Sequence, residues 1–161
     1  MVDIISIEKP GQHEFKIDFN SIQKIVFDLN CSGVRLDITS KQKITNSNLS
    51  VKLEVNHYQP DTHSKIIVKN VLKASRLELI GKISLPPGVV GSTTDFRCDS
   101  LLTDLGSAVK TVPAMNIGEN KVKASHGVAV AQFNQEHVFY LMSRGLSKKQ
   151  AENLLVRSFL R

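Results

Sequence analysis

Apolar and polar residues alternate in short runs along most of the chain, from residue 4 to about residue 130. Successive side chains of a β-strand point to opposite faces, so a period of two predicts strands with one buried face. In residues 34–38, for example, Val34, Leu36 and Ile38 alternate with Arg35 and Asp37. This pattern predicts strands at residues 14–19, 24–29, 34–38, 49–55 and 76–80.

Turn-forming residues separate these runs, and no helical pattern interrupts them. They lie at residues 31–33, 45–48, 59–61 and 86–88. The later apolar segments, at residues 71–72, 83–85, 101–102, 111–112 and 128–130, predict very short strands. Many short strands are compatible with a sandwich, a barrel or a β-solenoid. Short strands joined by turns favour the solenoid, in which each turn buries its face on the next one.

The pattern becomes helical after residue 132. Asn134 is a suitable N-cap, and Glu136 follows in the first turn, where a negative charge favours the helix dipole. Gly145 provides the C-terminal stop. A second helix begins after Ser147, which forms a capping-box pattern with Gln150.

Apolar side chains of this second helix fall into two groups. One stripe predicts the buried face and consists of Ala151, Leu154, Leu155 and Phe159. Val156 and Leu160 lie on the opposite side, beside Lys149. These two residues are either ordinary exposed apolar residues near a fraying helix end or a docking face for another protein.

Size and composition narrow the class of protein. The 161 residues suffice for about one domain, and 41% hydrophobic with 22% charged residues is ordinary globular composition. No apolar run is long enough to span a membrane, and the first residues do not resemble a signal peptide. Two cysteines, Cys31 and Cys98, are too few for a disulfide framework. We therefore expect a soluble cytoplasmic protein without a membrane partner.

The net charge of +6 is concentrated near the C-terminus. From Lys121 to Arg161 there are seven basic residues and two acidic ones. Nucleic-acid binding is not expected, because the chain has no Trp, only 6% aromatic residues and no recognisable reading helix. An acidic protein partner fits the same charge better.

Common catalytic motifs are absent. The sequence has neither a phosphate-binding glycine motif nor a nucleophile elbow, and it lacks the HExxH zinc pattern. Asp95, Asp99 and Asp104 are close in sequence, and clustered carboxylates on a β-helix can cleave glycans, but their spacing does not select one face. We expect a protein that is not an enzyme.

Cysteine and histidine provide the only candidate metal ligands besides the carboxylates. The default interpretation of each is structural, because a free Cys is usually a small buried side chain and a single His is usually just hydrogen-bonded. Cys98 and His126 are far apart in sequence and could meet only in the fold. The complete set is Cys31, Cys98, His13, His57, His63, His126 and His137.

Several segments together resemble the SufB/SufD family, the scaffold subunits of the SUF iron–sulfur cluster assembly machinery. Residues 122–127 (VKASHG) and 135–147 (QEHVFYLMSRGLS) resemble the C-terminal signature of that family. Upstream, residues 96–102 (FRCDSLL) are similar to the SufB segment that carries its cluster-associated cysteine. Residues 111–113 (TVP), 57–62 (HYQPDT) and 68–72 (VKNVL) also resemble family positions in the same order.

This resemblance implies a mainly β chain, with a right-handed parallel β-helix core at residues 1–132 and a small two-helix region at residues 133–161. It implies dimerisation through the β-helices, as a homodimer or a SufB/SufD-like heterodimer, and docking of a SufC-like ATPase on the C-terminal helices. Cys98 corresponds to the proposed cluster ligand or sulfur acceptor, and His126 to a histidine near the dimer interface. Both side chains suit iron, and a basic neighbour such as Arg97 is expected to favour the Cys98 thiolate.

The resemblance has departures. SufB-type sequences carry a glutamate directly after this histidine, where the chain has Gly127. The chain is also far shorter than either subunit, and Cys31 has no family counterpart. Two hypotheses follow: a minimal scaffold that holds a transient iron–sulfur cluster, or a cluster-free interaction module that binds the ATPase or other SUF proteins.

Overall fold

The computed structural model describes residues 2–20 and 22–161, which form ten β-strands followed by two α-helices. The strands are β1 (Val2–Ile7), β2 (Gly11–Lys16), β3 (Lys24–Leu29), β4 (Val34–Thr45), β5 (Asn48–His57), β6 (His63–Lys73), β7 (Arg76–Leu85), β8 (Thr93–Leu102), β9 (Ala108–Ile117) and β10 (Lys123–Gln132). The helices are α1 (Gln135–Ser143) and α2 (Lys148–Leu160).

Odd and even strands form two separate parallel sheets. The first sheet has the order β1-β3-β5-β7-β9, and the second has the order β10-β8-β6-β4-β2. Each odd strand and the even strand after it make one turn of a coil, and every turn pairs in parallel with the next. The prediction of a parallel β-solenoid followed by two helices is confirmed.

The core lies between the two sheets and follows from the alternation. In β4, Val34, Leu36 and Ile38 are fully buried, whereas Arg35 points to solvent. The partner strands repeat this parity in register, so each buried residue stacks on another in the next turn. One continuous apolar cluster results, which runs from the first turn to Leu102.

The prediction that the later strands are very short is wrong. Strands β7 to β10 each have ten residues, and β6 has eleven. Some inward-facing positions are polar, such as Gln42, Asn70 and Ser100, and they interrupt the apolar alternation on which the prediction rested. The first predicted strand is also displaced, because β2 ends at Lys16. Phe19 lies beyond it in the core, where its N–H donates to Oε1 of Gln42 at 3.0 Å.

Both helix starts are as predicted. The side chain of Asn134 accepts a hydrogen bond from the N–H of Glu136 at 2.8 Å. Ser147 and Gln150 form the complete capping box of α2. Gly145 has a φ of 93°, the left-handed conformation that ends α1. Neither helix combines the length and hydrophobicity that a membrane span requires within the described chain.

Helix α2 buries more than the single predicted stripe: Ala151 of that stripe is fully buried and Phe159 packs on the sheet, but the opposite side is also covered. Val156 is buried against Val71 and Leu101 on the outer surface of the second sheet, whereas Leu154 remains 47% exposed. Val156 is therefore not a docking face for another protein. Helix α2 contacts both α1 and β6, so it has apolar residues on two sides. A prediction of one buried stripe therefore missed the side that contains Val156.

Candidate functional site

Cys98 lies in the middle of β8 and points into the solenoid. It has the same parity as Phe96 and Ser100, and all three side chains are buried. Its Sγ lies 3.6 Å from Oγ1 of Thr111 and 3.9 Å from Nδ2 of Asn70. The thiol thus occupies a small polar pocket inside the apolar core.

Burial raises the pKa of the Cys98 thiol, which is the largest influence on it; the hydroxyls of Thr111 and Ser100 lower the pKa, and the charge of Asp99 adds a further rise. The expectation that Arg97 favours the thiolate is wrong. Arg97 points to the opposite face of β8, where its Nε donates to Oδ2 of Asp99 at 2.9 Å. Alternation along a strand separates neighbouring residues onto different faces, so adjacency in sequence gave the wrong electrostatics.

His126 lies on β10, the strand that pairs with β8. It is opposite Phe96, and Val128 is opposite Cys98. His126 and Cys98 therefore share the inward face of adjacent strands, two residues out of register, with a Cα separation of about 8 Å. No direct contact joins their side chains among the described residues, and His126 is exposed whereas Cys98 is buried.

The difference in exposure arises because β9 and β10 form the last turn. Their inward-facing side chains have no following turn to cover them, and Val128 and Val130 are 42% and 52% exposed. Ile117, at the end of β9, is half exposed for the same reason. The last turn is thus an uncovered end of the solenoid, with unpaired main-chain groups along both edge strands.

A row of buried polar side chains leads from the first turns to Cys98. Oε1 of Gln42 accepts from Phe19, and its Nε2 donates to Oδ1 of Asn70 at 3.3 Å. Asn70 in turn faces the Cys98 sulfur. Sequence analysis did not predict Asn70 and Thr111 as neighbours of Cys98. Asn70 could have been predicted to face the core, because it alternates with outward-facing residues of its strand. The position of Thr111 could not, because it depends on how the two sheets face each other.

The other candidate ligands do not converge. Asp95 accepts from Ser125, Asp99 pairs with Arg97, and both carboxylates lie on the outer face of β8. Asp104 follows β8 and accepts from the main-chain N–H groups of Gly106 and of Ala74, in the loop between β6 and β7. The Sγ of Cys31 points to the carbonyl of Ser32 in a turn. Across residues 2–20 and 22–161, no group of three or more His, Cys, Asp or Glu side chains could hold a metal ion.

A family model described as "SUF system FeS cluster assembly, SufBD core domain" matches residues 21–159. The chain belongs to the SufBD family. The match covers most of the β-solenoid and both helices. The SufBD core domain of this chain is therefore the solenoid with its uncovered last turn together with the two helices.

Three curated relatives are similar over 105 residues, which is 65% of the chain. An iron–sulfur cluster assembly SufBD family protein of Mycobacterium tuberculosis is 35% identical. The iron–sulfur cluster assembly protein SufB of Bacillus subtilis is 30% identical, and a SufBD family protein of Staphylococcus aureus is 29% identical. The matched part is 12% of the length of the first relative and 23% of each of the others.

Gly127 takes the place of the glutamate expected after the histidine of SufB-type members. It is opposite Arg97, on the outer face of the second sheet, and a Cβ at this position would meet no atom within 4 Å. Space therefore does not require a glycine here. A carboxylate at this position would lie on the face opposite to His126, near the Arg97–Asp99 pair.

The two helices of this SufBD chain expose apolar side chains. Phe139 and Tyr140 on α1 are more than half exposed, and Met142 and Leu154 are also exposed. The guanidinium of Arg144 lies 5.3 Å from the centre of the Tyr140 ring. Exposed aromatic residues next to an arginine are typical of protein-binding surfaces.

Proposed function

We propose that this chain is a scaffold component of SUF-type iron–sulfur cluster assembly and not an enzyme, acting in the cytoplasm as a homodimer with an ABC-type ATPase partner. One observation carries this proposal: Cys98 and His126 share one face of adjacent strands at the uncovered end of the solenoid. Residues 1–132 form the scaffold in this proposal, and residues 133–161 bind the ATPase.

Dimerisation at the uncovered end would supply the missing ligands. A cluster typically needs about four protein ligands, and one protomer offers a single Cys98 and a single His126. An isologous pair of protomers brings two of each to the shared interface. The exposed Val128 and Val130 and the unpaired edges of β9 and β10 support this end as the junction.

Ligation at Cys98 has a structural cost. The thiol is buried beneath Val128, and its raised pKa disfavours the thiolate that iron requires. The last turn must therefore shift before Cys98 binds iron. The same observation favours the second candidate function, a cluster-free member of the family that binds the ATPase or other SUF proteins.

Anaerobic reconstitution with iron and sulfide tests the cluster. We expect wild-type protein and Cys31→Ala to show a cluster spectrum with bound iron and acid-labile sulfide. Cys98→Ala and His126→Ala are expected to lose most of both, because each removes a ligand. Colourless wild-type protein would support the cluster-free alternative, and a cluster spectrum that neither change weakens would contradict Cys98 and His126 as the ligands.

The interface has a test that does not depend on the cluster. Val130→Asp, on edge strand β10, is expected to convert a dimer into a monomer in light scattering, because it places a charge at the junction. Val2→Asp is the matched control, since Val2 is 58% exposed on the edge strand at the other end of the solenoid. Monomeric wild-type protein, or a dimer that only the Val2 change disrupts, would contradict the proposed junction.

The C-terminal helices are the proposed ATPase-binding surface. Their exposed aromatic side chains and the basic residues Arg144, Lys148 and Lys149 suit an apolar contact surrounded by acidic groups on the partner.

A heterodimer with another SufB/SufD-like subunit would use the same end of the solenoid as a homodimer, and light scattering of the purified chain distinguishes the two.

A further inference from the structure

Basic residues are unequally distributed between the two outer faces of the solenoid. The outward-facing positions of the second sheet hold nine basic and four acidic side chains, compared with five basic and three acidic on the first sheet. Helix α2, which packs on β6 of the second sheet, carries three basic residues and one acidic residue. The basic side chains of that sheet are Lys16, Arg35, Lys41, Lys43, Lys65, Lys69, Lys73, Arg97 and Lys123.

Part of this basic face has a structural use. Near the carboxyl ends of the strands, Nζ of Lys69 donates to the main-chain oxygen of Phe159 at 2.9 Å, and Nζ of Lys41 donates to that of Arg161. These lysines satisfy carbonyl groups at the negative end of the α2 dipole. The carboxyl half of the face thus holds the helix.

The amino half of the same face has no such use within the chain. Arg35, Lys65 and Lys123 line a groove of about 430 Å³ across β4, β6, β8 and β10. All three are exposed, and within the described chain none forms an ion pair with a carboxylate. Strand spacing places Arg35 and Lys123 about 14 Å apart, so the cations follow a line across the strands.

Two carboxylates lie in the same groove, since Asp37 on β4 and Asp95 on β8 flank Lys65 in register. Asp95 accepts from Oγ of Ser125 at 2.6 Å, and Asp37 accepts from Nε2 of Gln12 at 3.4 Å. The ring of His63 bonds to Oγ1 of Thr93 at 2.8 Å. The three cations outnumber the two carboxylates, so the groove has a net positive charge that attracts an incoming anion.

We infer that this groove binds an extended acidic segment of a partner protein, laid across the strands with its carboxylates on Arg35, Lys65 and Lys123. Carboxylates at intervals along a peptide match cations spread over about 14 Å, which a single small anion cannot span. The outer face of the second sheet has no Phe, Tyr or Trp on which bases could stack, and this favours a peptide over single-stranded nucleic acid. The groove lies on the outer face, away from the inward-facing Cys98 and His126 and from α1 and α2, so this inference does not depend on cluster binding. It shares only the edge strand β10 with the proposed dimer junction.

Fluorescence anisotropy with a labelled dodecaglutamate peptide tests the inference. Wild-type protein is expected to bind the peptide at low ionic strength and to bind more weakly as salt is added. The triple variant Arg35→Ala, Lys65→Ala, Lys123→Ala is expected to lose about tenfold in affinity, because three surface ion pairs are removed. Its unfolding midpoint is expected to match that of wild type, since all three side chains are exposed.

A matched control separates the groove from net charge. The triple variant Arg76→Ala, Lys82→Ala, Lys110→Ala also removes one arginine and two lysines, but from the outer face of the first sheet. It is expected to bind the peptide as wild type does. Equal losses in the two triple variants, or no binding by wild type, would overturn the inference. Tighter binding of a single-stranded oligonucleotide with the same number of charges, weakened by the groove variant, would assign the groove to nucleic acid instead.

Discussion

Gly81→Ala is expected to lower the free energy of unfolding by about 1–3 kcal/mol, because the added methyl group would overlap a fixed aromatic ring. Gly81 faces the core from β7, and a Cβ there would lie 2.6 Å from two carbon atoms of the Phe96 ring. Side-chain Cβ atoms do not approach neighbours this closely in folded proteins. Phe96 is fully buried on the facing sheet, so its ring cannot move out to solvent.

A double-mutant cycle isolates this contact. Phe96→Leu shortens the side chain that meets Gly81, so Gly81→Ala is expected to cost less than half as much in that background. Gly127→Ala is the control, because it also replaces a strand glycine but the new Cβ meets nothing within 4 Å. Its effect is expected to stay within about 0.5 kcal/mol. Urea unfolding of the variants measures each term, and equal costs at Gly81 and Gly127 would contradict the overlap.

The importance of Gly81 was not predictable from the sequence. A glycine within an alternating strand pattern indicates only that another group approaches closely or that the strand bulges. Which group approaches depends on how the first sheet faces the second, and no local pattern contains that information. The structure shows that Gly81 and Phe96 are a complementary pair: the large ring takes the space that the missing side chain leaves.

Local signals were sufficient for the helix caps. Asn134 and Ser147 act on main-chain N–H groups two or three residues away, so their effect does not depend on the rest of the fold. Val156 shows the opposite case, because its burial depends on the outer surface of the second sheet, formed by residues far earlier in the chain. Sequence periodicity predicted α2 and the burial of Ala151, but not that Val156 faces the sheet.

The candidate site also has a part that the sequence predicted and a part that depends on the fold. Cys98 and His126 were predicted from motifs, and their placement on adjacent strands follows from a register that motifs do not contain. The burial of Cys98 was within reach, because it alternates with Arg97 and Asp99 and shares its parity with Phe96. The raised pKa of the thiol follows from that burial, whereas the neighbouring arginine is on the other face. Parity along the strand is therefore a better guide to this thiol than its sequence neighbours.

The protein is expected to lose about 3 kcal/mol of stability between pH 6.5 and pH 4 through a single histidine. His57 is fully buried at the end of β5, where Nδ1 lies 2.7 Å from Oγ1 of Thr62 and Nε2 lies 3.0 Å from Oγ of Ser64. Both hydroxyls are also bonded to the next turn, to Ser92 and Thr94. This network has hydroxyl partners for a neutral ring and no carboxylate among them to stabilise a charged one.

Burial, together with the nearby charge of His63, lowers the pKa of His57 to about 4 from the ordinary value of 6.5. Above pH 6.5 the ring is neutral in both the folded and the unfolded chain, so it contributes no pH dependence. As pH falls from 6.5 to 4, the unfolded chain takes up a proton at His57 that the folded chain cannot accept. Stability therefore falls with decreasing pH in this window, by up to about 1.4 kcal/mol for each pH unit.

Urea unfolding of wild type and His57→Gln at pH values between 7 and about 4.5 measures this contribution. The upper part of the window is the more informative, because carboxylates with a lowered pKa, such as those of Glu54 and Asp104, titrate at lower pH. Glutamine keeps amide groups near Thr62 and Ser64 but does not titrate, so the variant is expected to have the shallower pH dependence even if it is less stable at pH 7. His137→Gln, an exposed change on α1, is expected to leave the wild-type slope unchanged. A slope that survives in His57→Gln and disappears in His137→Gln would show that the acid sensitivity does not originate in the buried network.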